Sequence, residues 1–242
     1  MTSTTPKRLA SEAIGTALLL AAVVGSGIMA ERLAGSNVAL ALLANTIATG
    51  AALVALLLTF APISGAHFNP AVTLADATQG GIPWRLVPGY MVAQCVGAIV
   101  GVYSAHFMFV QPLIQISSHA RSGAALLFSE FIASFGLLAV IWGCSRARLS
   151  AVPFAVGAYI TAAYWFTAST SFANPAVTLA RSFTNTFAGI RPMDAPGFIV
   201  MQFIGALAAT ALFRWLTPAL LETTDELFMP HHEESRGAAF LR

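Results

Sequence analysis

The sequence predicts an all-α membrane protein, with six transmembrane helices plus two reentrant half-helices in inverted repeats. Three observations carry that prediction. Of the 242 residues, 57% are hydrophobic and only 9% charged, with mean hydropathy +0.76, whereas soluble domains carry roughly a quarter charged residues. Six apolar runs each approach the roughly 20 residues that a helix needs to cross the hydrocarbon core. The heptapeptide NPAVTLA occurs twice, at Asn69 and 105 positions on at Asn174. A net charge of +2 is too small to argue for a nucleic-acid partner.

The spans follow in order. Lys7 and Arg8 precede the first, 9–30. That run holds Glu12 and exceeds the about 7–15 apolar residues of a cleaved leader, so it reads as a helix that stays. The others are 38–60, 87–110, 123–144, 151–167 and 196–216. Cys95 and Cys144 both fall in apolar runs and read as reduced, small hydrophobes rather than a disulfide or metal pair. With the N-terminus inside, the inner side holds Lys7, Arg8, Arg85, Arg146, Arg148 and Arg214, and the outer side Arg32, Arg121, Arg181 and Arg191. That excess places both termini in the cytoplasm. Residues 1–217 form one domain. The acidic stretch 218–242, with His231 and His232, reads as a partly disordered cytoplasmic tail.

The two halves repeat beyond the heptapeptide. PGYMVAQCVGA at Pro88 matches PGFIVMQFIGA at Pro196, which keeps Gln94 with Gln202 and Gly97 with Gly205 in register. Ser11-Glu12 and Ser129-Glu130 stand early in the first helix of each half. Repeat one covers about 9–110 and repeat two about 123–217. Each half holds three spans, an odd number. The second half must therefore run through the membrane the other way, and such repeats build a site near the bilayer midplane.

The repeated cluster has a physical meaning. Asn is a good helix cap, and Pro suits the first helical position because its missing N–H would be unpaired there anyway. Asn69-Pro70-Ala71 and Asn174-Pro175-Ala176 therefore each start a helix of roughly 10–14 residues, half a membrane long. The first ends before Gly80 and the second before Gly189. The segments before them, APISGAH and TASTSFA, are small, polar and non-helical, which is tolerated at membrane depth only inside protein or along a watery cavity. Two such N-termini meeting tip to tip repel cations and favour acceptor oxygens. Each asparagine would offer a carboxamide N–H to a passing solute, so that water held there relays no proton.

At this point the chain resembles the aquaporins and aquaglyceroporins, the major intrinsic proteins. SGAHFNPAVTLA is a specific match to their first signature loop, and the likeness runs from about residue 9 to 216. The resemblance implies a right-handed bundle, a homotetramer with one pore per subunit, and passive conduction of small neutral solutes across the plasma membrane of a bacterium. It also implies that Glu12, Glu130 and His67 support the reentrant loops, and that Gly97 and Gly205 are helix contacts.

The second signature departs from the family pattern. An arginine usually follows Asn-Pro-Ala, where this chain has Val177. Counting back without gaps, the remaining positions of the family's narrowest ring fall on Thr49, Ala162 and Ser171. Four small or medium side chains imply a wide ring without a guanidinium. That predicts passage of solutes larger than water, such as polyols. The chain resembles the bacterial members with a changed second signature that are associated with arsenic resistance, and this resemblance implies neutral metalloid acids such as arsenous acid as further solutes. Arg181 lies one turn beyond Val177, facing an outer vestibule, and Asp76 is its counterpart toward the cytoplasmic mouth. No catalytic triad or metal-ligand spacing appears around His67, His106 or His119, so the reading is of no enzyme, metal or cofactor. Two alternatives stay open: a water-selective channel, and a proton-coupled carrier using Glu12 and Glu130.

Overall fold

A computed structural model describes residues 3–217. It contains α1 (Thr5–Ala34), α2 (Val38–Ser64), α3 (Pro70–Thr78), α4 (Val87–Met108), α5 (Ala124–Ala147), α6 (Val152–Phe166), α7 (Pro175–Arg181) and α8 (Ala195–Leu216). Short 3-10 turns at Trp84–Leu86 and Leu149–Ala151 lead into α4 and α6. No strand occurs among the described residues. The predicted tail, 218–242, lies outside them.

The six long helices, α4 and α6 counted with the 3-10 turns that lead into them, are each long and apolar enough to cross a membrane, and they coincide with the six predicted runs to within a few residues. Proline stands in the first turn of α1, α4, α6 and α8, where its fixed φ suits a helix start. The Asn37 side chain accepts from Leu40 N at 3.0 Å and caps α2. Gly65 closes α2 at φ 88°, its N–H donating to Ala61 O, a left-handed cap that glycine adopts without steric cost. Ile47, Val92, Val96, Phe154 and Ile204 are exposed, on helices whose other faces are buried. Helices apolar on both faces belong in lipid.

The halves pack alike: α1 lies along α4 as α5 lies along α8, and α2 meets α6 across the middle. Gly97 and Gly205 make these approaches possible. A β-carbon on Gly97 would collide with the carbonyl oxygen of Ala13, and one on Gly205 with that of Phe131. Small residues let membrane helices come this close.

The half-helices α3 and α7 run between the long helices and touch each other. Both are shorter than predicted, the second markedly so. α3 spans nine residues, but α7 spans seven and stops at Arg181, well before Gly189. The chain turns there because Ser182 N bonds Leu179 O, Phe183 N bonds Ala180 O, and Ile190 N returns to Arg181 O. This loop folds back on the half-helix, so the residues read as its second half are a compact turn.

Candidate functional site

The site starts from two segments of backbone that few residues adopt freely. Ala66 and Phe68 before α3 have φ of 49°, and their counterparts Ser171 and Ala173 before α7 have φ of 50° and 48°. Left-handed backbone at residues other than glycine is uncommon and persists where the surroundings over-determine it. Here the surroundings are two buried glutamates. Glu12 Oε1 accepts from Ser64 Oγ at 2.6 Å and His67 N at 3.0 Å; its Oε2 accepts from Phe68 N at 2.7 Å and Gln94 Nε2 at 2.8 Å. Glu130 accepts from Phe172 N and Ala173 N, each at 2.9 Å, and from Gln202 Nε2 at 2.6 Å. The glutamines reach on to Thr73 and Thr178, whose hydroxyls bond the carbonyls of Asn69 and Asn174. The pairing of Gln94 with Gln202 was visible in the sequence as a register match, but its purpose was not.

The asparagines cap as expected. Asn69 Oδ1 accepts from Ala71 N at 2.9 Å, and Asn174 Oδ1 from Ala176 N at 3.0 Å and Val177 N at 3.3 Å. Their amides also do something the sequence reading did not anticipate. Asn69 Nδ2 donates to Ala173 O, and Asn174 Nδ2 to Phe68 O, both at 2.8 Å. One amide hydrogen of each asparagine thus ties its half-helix to the opposite loop. Each amide group carries two donors, and both residues border the cavity described next.

A cavity of about 520 Å³ runs through the middle of the bundle, past both Asn-Pro-Ala starts. Apolar side chains such as Leu19, Val23, Leu53, Leu137 and Ile141 make most of its wall. At the end away from Arg8 it is bordered by Thr49, Tyr164, Ser171, Val177 and Arg181. The predicted quartet is therefore brought together except for Ala162, which is exposed on the outside of the bundle. Tyr164 faces inward in its place and its hydroxyl donates to Thr49 Oγ1 at 3.4 Å. The inward face of α6 runs Val156, Ile160, Tyr164, a four-residue step that the sequence carried. The ungapped count back from the motif missed it because it crosses the end of α6 at Phe166 and the turn after it.

The two charged residues one turn past the motifs part ways. Arg181 is 3% exposed and borders the cavity. Its Nε donates to Ala188 O, and its guanidinium lies 3.4 Å from the centre of the Phe172 ring. Arg121 stands 5.0 Å from the same ring. Asp76 was expected to face the opposite mouth. Instead it is fully buried outside the cavity wall, with Oδ2 at 3.5 Å from His67 Nε2. Gly81 makes room for it, since a β-carbon there would overlap the carboxylate. His67 borders the cavity, and its Nδ1 lies 3.1 Å from Thr73 Oγ1.

Comparison with known proteins agrees with this geometry. The family model described as Major intrinsic protein matches residues 1–151 and again 143–241. Aquaglyceroporin AqpS of Rhizobium meliloti (strain 1021) is 55% identical over 224 residues, covering 91% of this chain and 96% of its own. The probable aquaporin NIP-type of Nicotiana alata is 30% identical over 248 residues, covering 98% and 84%. Among solved structures, the aquaglyceroporin from Plasmodium falciparum shares the fold at TM-score 0.68, with 20% identity over 90% of this chain and 99% of that one.

Proposed function

The chain belongs to the major intrinsic protein family, a family of multi-pass membrane channels and not of enzymes, and from that premise we propose a passive conduit for polyols and neutral metalloid acids such as arsenous acid, as well as water. One observation carries the reading. A central cavity of about 520 Å³, bordered by both Asn69 and Asn174, has Val177 where the family usually places a guanidinium. At that level the wall offers the hydroxyls of Thr49, Tyr164 and Ser171 beside the apolar Val177. A glycerol-sized molecule has the same two-sided character, with hydroxyls along one edge and C–H along the other. A pathway that is mostly apolar with a few placed polar groups suits such a ligand. Arsenous acid presents three hydroxyls around a compact centre and meets the same requirement. The relative AqpS is itself named an aquaglyceroporin, which supports the polyol side of the proposal.

The free amide hydrogen left on each of Asn69 and Asn174 would hold a solute oxygen at the meeting of the half-helices. The protein would sit in the bacterial plasma membrane as a homotetramer, with both termini cytoplasmic. The carrier alternative loses support because both oxygens of Glu12 and Glu130 are spent on their loops. The test is stopped-flow swelling of proteoliposomes loaded against water, glycerol and arsenous acid, with and without a proton gradient. Gradient-independent, non-saturating glycerol and arsenous acid flux is expected. Flux of water alone would defeat the proposal in favour of a water-selective pore, and proton-driven saturable flux would favour a carrier.

A further inference from the structure

The family's arginine is absent at Val177, yet a guanidinium still stands on the cavity wall one turn farther along α7. Arg181 is 3% exposed and one of its nitrogens, Nη1, has no hydrogen-bond partner. The described residues hold two ion pairs, His67 with Asp76 and Arg191 with Asp194, so neither serves Arg181. The carboxylate of Glu130 is spent on Phe172, Ala173 and Gln202. Arg121, the second cation against the Phe172 ring, directs its own donors to Gly189 O, Ser169 O and the Asp194 carboxylate. Beside Arg181 on the same wall, the Ser171 hydroxyl is also buried, at 3% exposure, and also without a partner.

Arg181 holds Ala188 O through Nε and packs on Phe172, but its Nη1 and the Ser171 hydroxyl stay unpaired, and buried polar groups left so are costly unless an acceptor meets them. A guanidinium packed against an aromatic ring has little freedom to move, and its planar fork of donors matches the two oxygens of a carboxylate or oxo-acid group. A hydroxyl of a polyol is a weaker acceptor and takes only one such bond. We propose that Arg181 and Ser171 form a solute subsite for small oxo-acids, carboxylates of about glycerol's size above all. This rests on the channel reading and adds a specificity-determining residue that the signature motifs do not contain. The subsite makes acid solutes compete with polyols for the same passage.

The test measures glycerol flux in proteoliposomes at neutral pH with increasing lactate, equal on both faces so that it adds no osmotic drive. Lactate has glycerol's three carbons and one carboxylate. Several-fold inhibition is expected in the native protein, relieved by raising glycerol. In Arg181→Gln the lactate needed for half-inhibition should rise about tenfold, the factor that one charged hydrogen bond commands. Arg181→Lys keeps the charge but not the fork and should restore part of the sensitivity, which a purely loop-holding role through Ala188 would not predict. Ser171→Ala, which removes only a hydroxyl, should weaken inhibition by a smaller factor and carries the test if Arg181→Gln does not insert. Native glycerol flux untouched by lactate overturns the subsite, as does inhibition identical in the native protein, Arg181→Lys and Ser171→Ala. A native protein that passes no glycerol at all overturns the channel reading, and the subsite with it.

Discussion

In the first reentrant segment Glu12 gathers Ser64, His67, Phe68 and Gln94; in the second Glu130 gathers Phe172, Ala173 and Gln202. Up to the asparagines the two are near copies, with the same left-handed residues and the same cross-tie to the opposite carbonyl. One turn later they differ. α3 continues to Thr78 and buries Asp76 behind the wall against His67. α7 stops at Arg181, which stays on the wall and lies on Phe172. The shared part builds the passage, because backbone left in an unusual conformation at membrane depth needs every donor satisfied. The part that differs, with Arg181 on the wall and Asp76 behind it, is where the proposed subsite lies.

The largest effect should come from breaking the shared scheme. Glu12→Ala leaves four donors without their acceptor and Glu130→Ala three, at about 1–3 kcal/mol for each buried donor. Both variants should lose several kcal/mol and most flux of every solute, with Glu12→Ala the worse. Thermal unfolding in detergent together with water permeability checks this, and equal or reversed losses would mean that the second loop depends on contacts other than Glu130. Next comes the helix contact. Gly97→Val and Gly205→Val push a side chain into the carbonyls of Ala13 and Phe131 and should each cost at least the about 1–3 kcal/mol of overpacking, again read as a lowered unfolding temperature. Similar losses in the two would confirm equivalence of the halves at that contact.

Val177→Arg introduces a difference where the halves are now alike, with Val72 and Val177 at equivalent places on the cavity wall. It places a second long cation one turn from Arg181, beside Tyr164 and Thr49. Glycerol and arsenous acid flux should fall several-fold while water flux falls less, in the same swelling assay. Loss of water and glycerol flux in equal proportion would show that Val177 does not discriminate by size. The smallest effect is at the surface of the second half. The hydrogen bond from Arg191 holds the Asp194 carboxyl below its ordinary range. A depressed carboxyl stabilises the folded form above its unfolded value, and that contribution is lost as pH falls through the folded value. Acid below the usual carboxylate range should therefore lower the unfolding temperature of the native protein slightly more than that of Asp194→Asn. The pair is partly solvated, so the difference stays small.

Much of this was legible in the order of residues. Composition and run length sufficed for the six spans, because a helix in lipid must be apolar all round over a set length. Asn-Pro located both half-helix starts to the residue, since capping and the missing proline N–H are local chemistry. Repeat register paired Glu12 with Glu130 and Gln94 with Gln202. Only the tertiary structure decided the rest. The asparagine amides cross to carbonyls 104 and 106 positions away, a distance no local rule spans. Tyr164 rather than Ala162 faces the cavity because the rotation of α6 is set by its packing on α2 and α5. Arg181 and Asp76 occupy matching places in the repeat, yet one stays on the wall and the other is buried. Their neighbours decide this, an aromatic ring for one and a histidine with a glycine-sized gap for the other, and those neighbours meet only once the chain has folded.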